Sequence, residues 1–470
     1  MKENKYNEDG EELKELLAHY NNLKGGRQHK FLDEEAFEKI IDYFDEKEEV
    51  NKAMEAAEIG AERYPYSSSI LIRKADLLIA TQKYQAALQL LNHAATLDGG
   101  NIDIYILKTS AYLALDQQQK AVEILEKALA IFEGSERVDL LFELADVYDD
   151  YEEFEKVFDC LQLILQEEPN NEEALYKICF WTDFTGRNEE SIRLHKKIID
   201  EFPYNALAWF NMAAAYQGIK LYEKAVDAYH YAVTIDEKFD FAYRNMGDAY
   251  IRLRKYKEAI EVLEKVLELS KPECLIYEAI GHCYDKLKNN AQARFYYRKA
   301  THLNPDDSKL YYKISCTYFN EGQWGSASKQ LETALKIRIQ HPGYNLLMGE
   351  CKMQLLDFNG ATQYFLAAVR SRPKNINGWD ALLKCLYKAN AIEDALNYVA
   401  IALKHTTDNP LFIYYYSMLL FASGNSKEAI LQLEKAMQKK SNLLKKFVSL
   451  NPAILQNHQV VDVISKHKRL

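Results

Sequence analysis

Histidine and cysteine are the side chains in this chain that could most readily bind a metal ion or attack a substrate. The sequence has eleven histidines and seven cysteines. No two histidines are four residues apart, and no Cys-x-x-Cys pair, glycine-rich phosphate loop or Gly-x-Ser-x-Gly turn occurs. Zinc sites, phosphate sites and serine hydrolases depend on such spacings. The sequence therefore predicts no catalytic residue, no metal site and no cofactor, and we do not expect an enzyme.

The regular feature of the chain is a recurring alanine. It returns every 34 residues, apart from one longer gap in which Val157 and Ser191 occupy the expected positions. A fixed period of this length predicts a stack of similar supersecondary units. The alanines are Ala53, Ala87, Ala121, Ala225, Ala259, Ala293, Ala327, Ala361, Ala395 and Ala429.

Each unit has further residues at helical spacings from its alanine. Small residues such as Gly281 stand twelve positions before it, and bulky residues such as Tyr297 stand four positions after it. Spacings of three, four and seven predict two amphipathic helices joined by a short turn. We expect the small residues to let the paired helices approach closely, with the bulky residues filling the remaining space.

This pattern resembles the tetratricopeptide repeat. The unit that begins at Ala206 has residues at the family's signature spacing, namely Trp209, Met212, Ala213, Tyr216, Ala225, Tyr229 and Ala232. The resemblance implies an all-α fold, a right-handed α-solenoid superhelix of antiparallel helix pairs, without a fused catalytic domain. We expect twelve repeats over residues 34–443, a polar segment with a short amphipathic helix over 1–33, and capping helices over 444–470. Val157 and Ser191 predict atypical packing in the fourth and fifth units.

The resemblance also indicates where a partner would bind. In this family the first helix of each pair lines the concave groove, so residues turned outward from those helices are candidate contacts. Aromatic side chains that the core does not require can anchor a partner, and surrounding charges orient it. The predicted partner-binding residues are Tyr176, Phe180, Asp183, Phe184, Phe210, Asp146, Asp149, Asp150, Arg244 and Arg252.

The distribution of charge leaves two alternatives open. Residues 1–250 contain 27 Lys/Arg against 50 Asp/Glu, whereas residues 251–470 contain 32 against 20. The acidic half of one copy could therefore meet the basic half of another and form a homo-oligomer. Nucleic acid could also meet the basic half, but the acidic half would repel a long polyanion. The predicted function is thus a non-enzymatic scaffold or adaptor that binds a protein or peptide, with self-association as the alternative and nucleic-acid binding less favoured.

The sequence also favours a location in the cytoplasm. Its first residues are polar, its longest apolar run is too short to cross a bilayer, and its cysteines are scattered. We therefore expect no membrane partner and reduced thiols.

Overall fold

All regular secondary structure in the described residues is helical. The computed structural model describes residues 2–28, 30–450 and 452–468, and these form 27 α-helices and two short 3₁₀ helices without a strand. The helices divide into two compact units, Met1–Glu237 and Lys238–Leu470. The all-α prediction is confirmed, and within each unit the helices form successive antiparallel pairs.

The first unit contains a leading helix and six helix pairs. Its helices are α1 (Lys2–Lys24), α2 (Glu34–Glu46), α3 (Val50–Arg63), α4 (Ser68–Ala80), α5 (Tyr84–Leu97), α6 (Ile102–Ala114), α7 (Gln118–Leu129), α8 (Ser135–Asp150), α9 (Phe154–Glu167), α10 (Glu172–Thr185), α11 (Asn188–Glu201), α12 (Ala206–Gly218) and α13 (Tyr222–Ile235).

The second unit contains six helix pairs and two closing helices. Its helices are α14 (Asp240–Arg252), α15 (Tyr256–Leu269), α16 (Cys274–Lys286), α17 (Asn290–Leu303), α18 (Ser308–Asn320), α19 (Trp324–Ile337), α20 (Pro342–Gln354), α21 (Phe358–Ser371), α22 (Ile376–Lys388), α23 (Ile392–His405), α24 (Pro410–Ala422), α25 (Ser426–Lys440), α26 (Leu444–Leu450) and α27 (His458–Lys468), with 3₁₀ helices at Ser441–Leu443 and Pro452–Gln456.

The recurring small residues lie between the paired helices in most of the pairs. All ten alanines of the 34-residue period are fully buried in the second helix of their pair. The glycines twelve residues earlier lie against bulky side chains: a β-carbon on Gly281 would be 2.7 Å from the ring of Tyr297, and one on Gly349 would be 2.5 Å from Phe365. Atoms cannot approach so closely, so only a residue without a β-carbon allows these rings to sit between the helices.

The turn inside each pair also repeats. One residue there adopts positive φ, and in most pairs it is not glycine; Leu356, for example, has φ 62°. The turn is closed by backbone hydrogen bonds, here from the Leu356 and Asp357 amides to the carbonyls of Met353 and Lys352. Left-handed backbone at this position reverses the chain within three residues. The matching residues are Glu48, Gln82, Asp116, Glu152, Gly186, Lys220, Arg254, Lys288, Gly322, Asn390 and Gly424.

The fifth pair departs from the others. Helix α10 packs against α9 and α12 but hardly touches its own partner α11, whereas most first helices pack extensively on their partner. Ser191 stands in the alanine position of α11 and is buried. Helix α10 is therefore held mainly by the pairs on either side of it.

Apolar side chains also pack at both ends of the chain. Tyr20 of α1 is buried and its ring lies 6.4 Å from that of Phe37 on α2. At the other end, Phe447 and Val460 are buried, and the Phe447 ring lies 5.4 Å from that of Tyr414. Each terminal helix pair is thus partly covered by the helices that precede or follow it.

Candidate functional site

Three aromatic side chains stand in a row on the exposed face of α10. Tyr176, Phe180 and Phe184 are 63%, 61% and 56% exposed. They are four residues apart and therefore lie on one face of the helix. The rings of Phe180 and Phe184 stack with centroids 6.0 Å apart. We call these three residues the aromatic row.

Two further aromatic residues support the row, and sequence reasoning missed both. Phe154 at the start of α9 stacks on Trp181 at 5.3 Å, and its ring lies 4.8 Å from that of Phe184. The sequence did contain a signal for Phe154, because the second helix of several other pairs also begins with an aromatic residue, such as Tyr222. The row is thus backed by packed rings, which limits how far Phe184 can move.

Phe210 differs from the aromatic row. It is half-buried on α12, and its ring lies 5.7 Å from that of Tyr229, which is fully buried. Phe210 therefore contacts a core residue while staying partly accessible, and its role as a partner contact stays a prediction.

Exposed carboxylates lie on α10 itself and on α8 of the preceding pair. Asp146, Asp149 and Asp150 are exposed near the end of α8, and Asp183 is exposed on α10. Burial, together with neighbouring acidic residues, raises the pKa of the Glu143 carboxyl on α8. Desolvation is the larger cause of this rise; among the neighbouring charges, Asp146 and Asp139 add to it and Lys177 opposes it.

One lysine offsets part of that charge. The Lys177 ammonium lies 2.9 Å from Glu173 and 3.7 Å from Asp146, so it links α10 to α8. Partial burial acts to lower the pKa of Lys177, but these two carboxylates outweigh it and raise the pKa. Lys177 therefore stays charged and holds the two helices together beside the aromatic row.

The two predicted arginines belong to the second unit. Arg244 donates to both carboxylate oxygens of Glu273, at 2.7 and 3.0 Å, which raises its pKa. Arg252 is exposed and lies 3.5 Å from Asp248. Both guanidinium groups thus have an acidic neighbour, and that of Arg244 is held in a bidentate pair.

A buried polar chain fixes α10 to α12. The Asn211 side-chain amide donates to the Leu175 carbonyl of α10 at 2.7 Å and lies 3.2 Å from Nε2 of the fully buried His195. Since the amide is the donor, Nε2 is the acceptor, and Nδ1 donates to the Ser191 carbonyl at 2.8 Å. Burial lowers the pKa of His195 to about 4, so the ring is neutral at pH 7.

Arg187 secures the turn after α10. Its guanidinium donates to Asp159 at 2.6 Å and to both carboxylate oxygens of Glu190 at 2.9 and 2.7 Å. It also stacks over the ring of Phe158 at 4.2 Å. These contacts tie the turn to α9 and complete the support of α10.

The seven cysteines are free, and burial raises the pKa of the Cys160 and Cys283 thiols to about 12. Within the described ranges, no group of three or more His, Cys, Asp or Glu residues is arranged to hold a metal ion. Within the same ranges no helix is both long enough and apolar enough to cross a membrane.

Comparison with known families agrees with the repeat pattern. Three family models, each described as tetratricopeptide repeat, match residues 78–141, 240–272 and 276–307. The chain therefore contains tetratricopeptide repeats in these three stretches. The matched residues cover α7, α14 and α17 together with large parts of their neighbours, so they sample both compact units.

Solved structures of other repeat proteins are similar to parts of this one. The C-terminal part of a TPR repeat-containing protein from Cytophaga hutchinsonii is 14% identical, with 54% of this chain and 99% of that chain covered and a TM-score of 0.45. YrrB, described as a TPR protein with an unusual peptide-binding site, is 22% identical; the alignment covers 40% of this chain and 96% of YrrB, with a TM-score of 0.36. A chain of the Cut9–Hcn1 hetero-tetramer of the APC/C is 12% identical; the alignment covers 85% of this chain and 96% of that chain, with a TM-score of 0.34. No curated protein sequence matches the chain.

Proposed function

We propose that this tetratricopeptide repeat protein is a non-enzymatic scaffold or adaptor that binds a partner polypeptide in the groove of its first helices. The observation that carries the proposal is the aromatic row of α10, three large side chains that are more than half exposed. Burying one such ring is worth about 2 kcal/mol. Aromatic residues held in place by their neighbours are typical anchors of protein interfaces.

The charge around the row sets the chemistry of the partner. Asp146, Asp149, Asp150 and Asp183 are exposed on α8 and α10, and only Lys177 among the contacts described above offsets them. A segment with basic residues would be attracted to this face and would bind faster at low salt. Arg244 and Arg252 remain candidate contacts of the second unit.

Affinity capture from a native lysate with quantitative mass spectrometry tests the proposal. The wild type is compared with the double variant Phe180→Ala, Phe184→Ala and with a control, Phe31→Ala, Tyr66→Ala, whose two side chains are each 79% exposed in the same unit. We expect a protein that is retained by the wild type and the control but lost from the aromatic-row variant. Equal capture by all three would reject the aromatic row as the binding site.

Self-association is the second candidate because the two halves of the sequence carry opposite net charge. It predicts dimers that dissociate as salt is added, which light scattering measures directly. We do not propose nucleic-acid binding, since Tyr297 of the basic half is buried and Arg294 pairs with Glu321 at 2.8 Å.

We also propose that residues 1–33 form an N-terminal segment, residues 34–443 the repeat array and residues 444–470 the capping helices. We propose further that the protein acts in the cytoplasm without a cofactor or a membrane partner.

A further inference from the structure

A depression lies at the N-terminal end of the aromatic row, among the loops that precede α10 and α12. Tyr176 of the row forms one side of it and Tyr204 forms another. Tyr204 is 85% exposed, more than any other large apolar side chain described. We call this depression the tyrosine pocket; the remaining lining residues are Asn170, Glu172, Glu201, Phe202, Pro203, Asn205, Ala206, Leu207 and Asp236.

The lining of the tyrosine pocket is acidic. It includes the carboxylates of Glu172, Glu201 and Asp236, all exposed, and no lysine, arginine or histidine. Two helices, α10 and α12, begin at the pocket, and two others, α11 and α13, end there. Each helix end carries about half a charge, positive at the start and negative at the end, so the four ends cancel. The carboxylates of Glu172 and Glu201 therefore make the electrostatic potential of the pocket favourable to a cation.

The loops of the tyrosine pocket are fixed before any partner arrives. The Asn205 side chain accepts from the Ala208 amide at 2.9 Å and donates to Asn170 at 2.8 Å, which joins the two loops. The Trp209 indole donates to the Pro203 carbonyl at 2.9 Å and stacks on Tyr231 at 4.3 Å. Tyr204 thus stands in water on a turn whose backbone is held from both sides, so a ligand that contacts it does not have to order the loop backbone.

The capped helix starts argue against an anion as the ligand. In the first turns of α10 and α12, the backbone amides of Ala174 and Ala208 donate to the side chains of Asn171 and Asn205. These amides are therefore not available to bind an anion. A cation meets no such obstacle, because tyrosine faces and carboxylate oxygens both attract it.

We infer that the tyrosine pocket binds the guanidinium group of an arginine in the partner polypeptide. A planar guanidinium stacks on Tyr204 or Tyr176 while its N–H groups donate to Glu172 or Glu201, and the compact ammonium of lysine cannot do both equally well. Because Tyr176 belongs to the pocket and to the aromatic row, the partner segment would place its arginine here and apolar residues over Phe180 and Phe184. The inference rests on the proposed function and specifies the partner's sequence.

A random peptide library displayed on phage and selected on the immobilised full chain tests this inference. We expect selected peptides to carry an arginine together with apolar residues. For one such peptide, Tyr204→Ala in the protein and Arg→Gln in the peptide should each weaken binding by about tenfold. The two changes combined should weaken it little further, since both remove one interaction. The control Tyr66→Ala changes a tyrosine at the equivalent loop position, 79% exposed, and should leave affinity unchanged.

The outcomes separate this inference from the proposed function. If the selected peptides bind the Phe180→Ala, Phe184→Ala variant more weakly but show no preference for arginine, the inferred arginine site is wrong and the proposed function still holds. Equal weakening of the arginine and glutamine peptides by Tyr204→Ala, or equal affinity of arginine and lysine peptides, would also overturn it. If no peptide is selected, or if the selected peptides bind the Tyr204→Ala and the Phe180→Ala, Phe184→Ala variants as tightly as the wild type, both the inference and the aromatic row as a binding site are rejected.

Discussion

At the scale of single residues, the repeats that contain Gly281 and Gly349 depend on how closely the backbone of one helix approaches a ring of the next helix. A β-carbon on Gly281 would lie 2.7 Å from Tyr297, a fully buried side chain. Alanine normally favours a helix over glycine by about 1 kcal/mol, but overpacking costs about 1–3 kcal/mol. We predict that Gly281→Ala lowers the free energy of unfolding, measured by urea denaturation followed by circular dichroism.

Gly325 supplies the matched control for that substitution. It lies in the first turn of α19, and a β-carbon there would meet no atom within 4 Å. Gly325→Ala should therefore leave stability unchanged or raise it. Stabilisation by both substitutions would show that the rings do not need the space that glycine leaves.

His195 makes stability depend on pH. Its pKa falls from 6.5 to about 4 on burial, so the unfolded chain binds more protons between these values and folding weakens as pH drops through that window. Each pKa unit is worth about 1.4 kcal/mol, which gives a loss of about 2 kcal/mol between pH 7.5 and pH 5. We predict that the advantage of wild type over His195→Gln shrinks by this amount when unfolding is measured at both pH values.

An exposed histidine separates this effect from general acid sensitivity. His93 lies on the surface of α5, so His93→Gln should differ from wild type by the same amount at both pH values. An advantage of wild type over His195→Gln that is constant with pH would contradict the assignment of His195 as a buried neutral donor and acceptor.

At the scale of helices and turns, the left-handed residue between paired helices is a source of strain. Leu356 has φ 62° and is 74% exposed, so its side chain contributes little burial. Left-handed backbone costs a residue with a β-carbon about 1–2 kcal/mol. Replacing that residue with glycine removes this strain, but the greater entropy of glycine in the unfolded chain offsets part of the stabilisation. We predict that Leu356→Gly raises the free energy of unfolding by about 0.5–1 kcal/mol, measured by urea denaturation.

The reverse substitution at an equivalent turn is the control. Gly322 has φ 73° between α18 and α19, and Gly322→Leu should destabilise the protein. If both substitutions destabilised, Leu356 would have to make contacts that outweigh its backbone strain.

Much of this scale follows from the sequence. The alanine period, the small and bulky positions and the turn spacing predict helix pairs because they depend on residues close in the chain. The exposed row of α10 follows from the same period. The support of the row does not, because Phe154 and Trp181 meet between neighbouring pairs. The contact between Asn211 and His195 could not be predicted either. Ser191 indicates that the fifth pair packs irregularly, but it does not show which polar side chain of the following pair contacts His195.

At the scale of the whole molecule, we propose that the helix pairs present the aromatic row to a protein partner. Residues 1–250, which include the aromatic row, contain 50 Asp/Glu against 27 Lys/Arg, and we infer from this excess that the proposed partner is basic. Added salt should therefore weaken partner binding mainly by slowing association.

The most direct test of that claim is the dissociation constant of the captured partner for the wild type and for the Phe180→Ala, Phe184→Ala variant, with the melting temperature of each. Loss of two anchors worth about 2 kcal/mol each predicts affinity weaker by two orders of magnitude or more. The melting temperature should hardly change, since both rings are more than half exposed. An unchanged dissociation constant would contradict the claim, and a weakened one accompanied by a large fall in melting temperature would show that the rings support the fold instead.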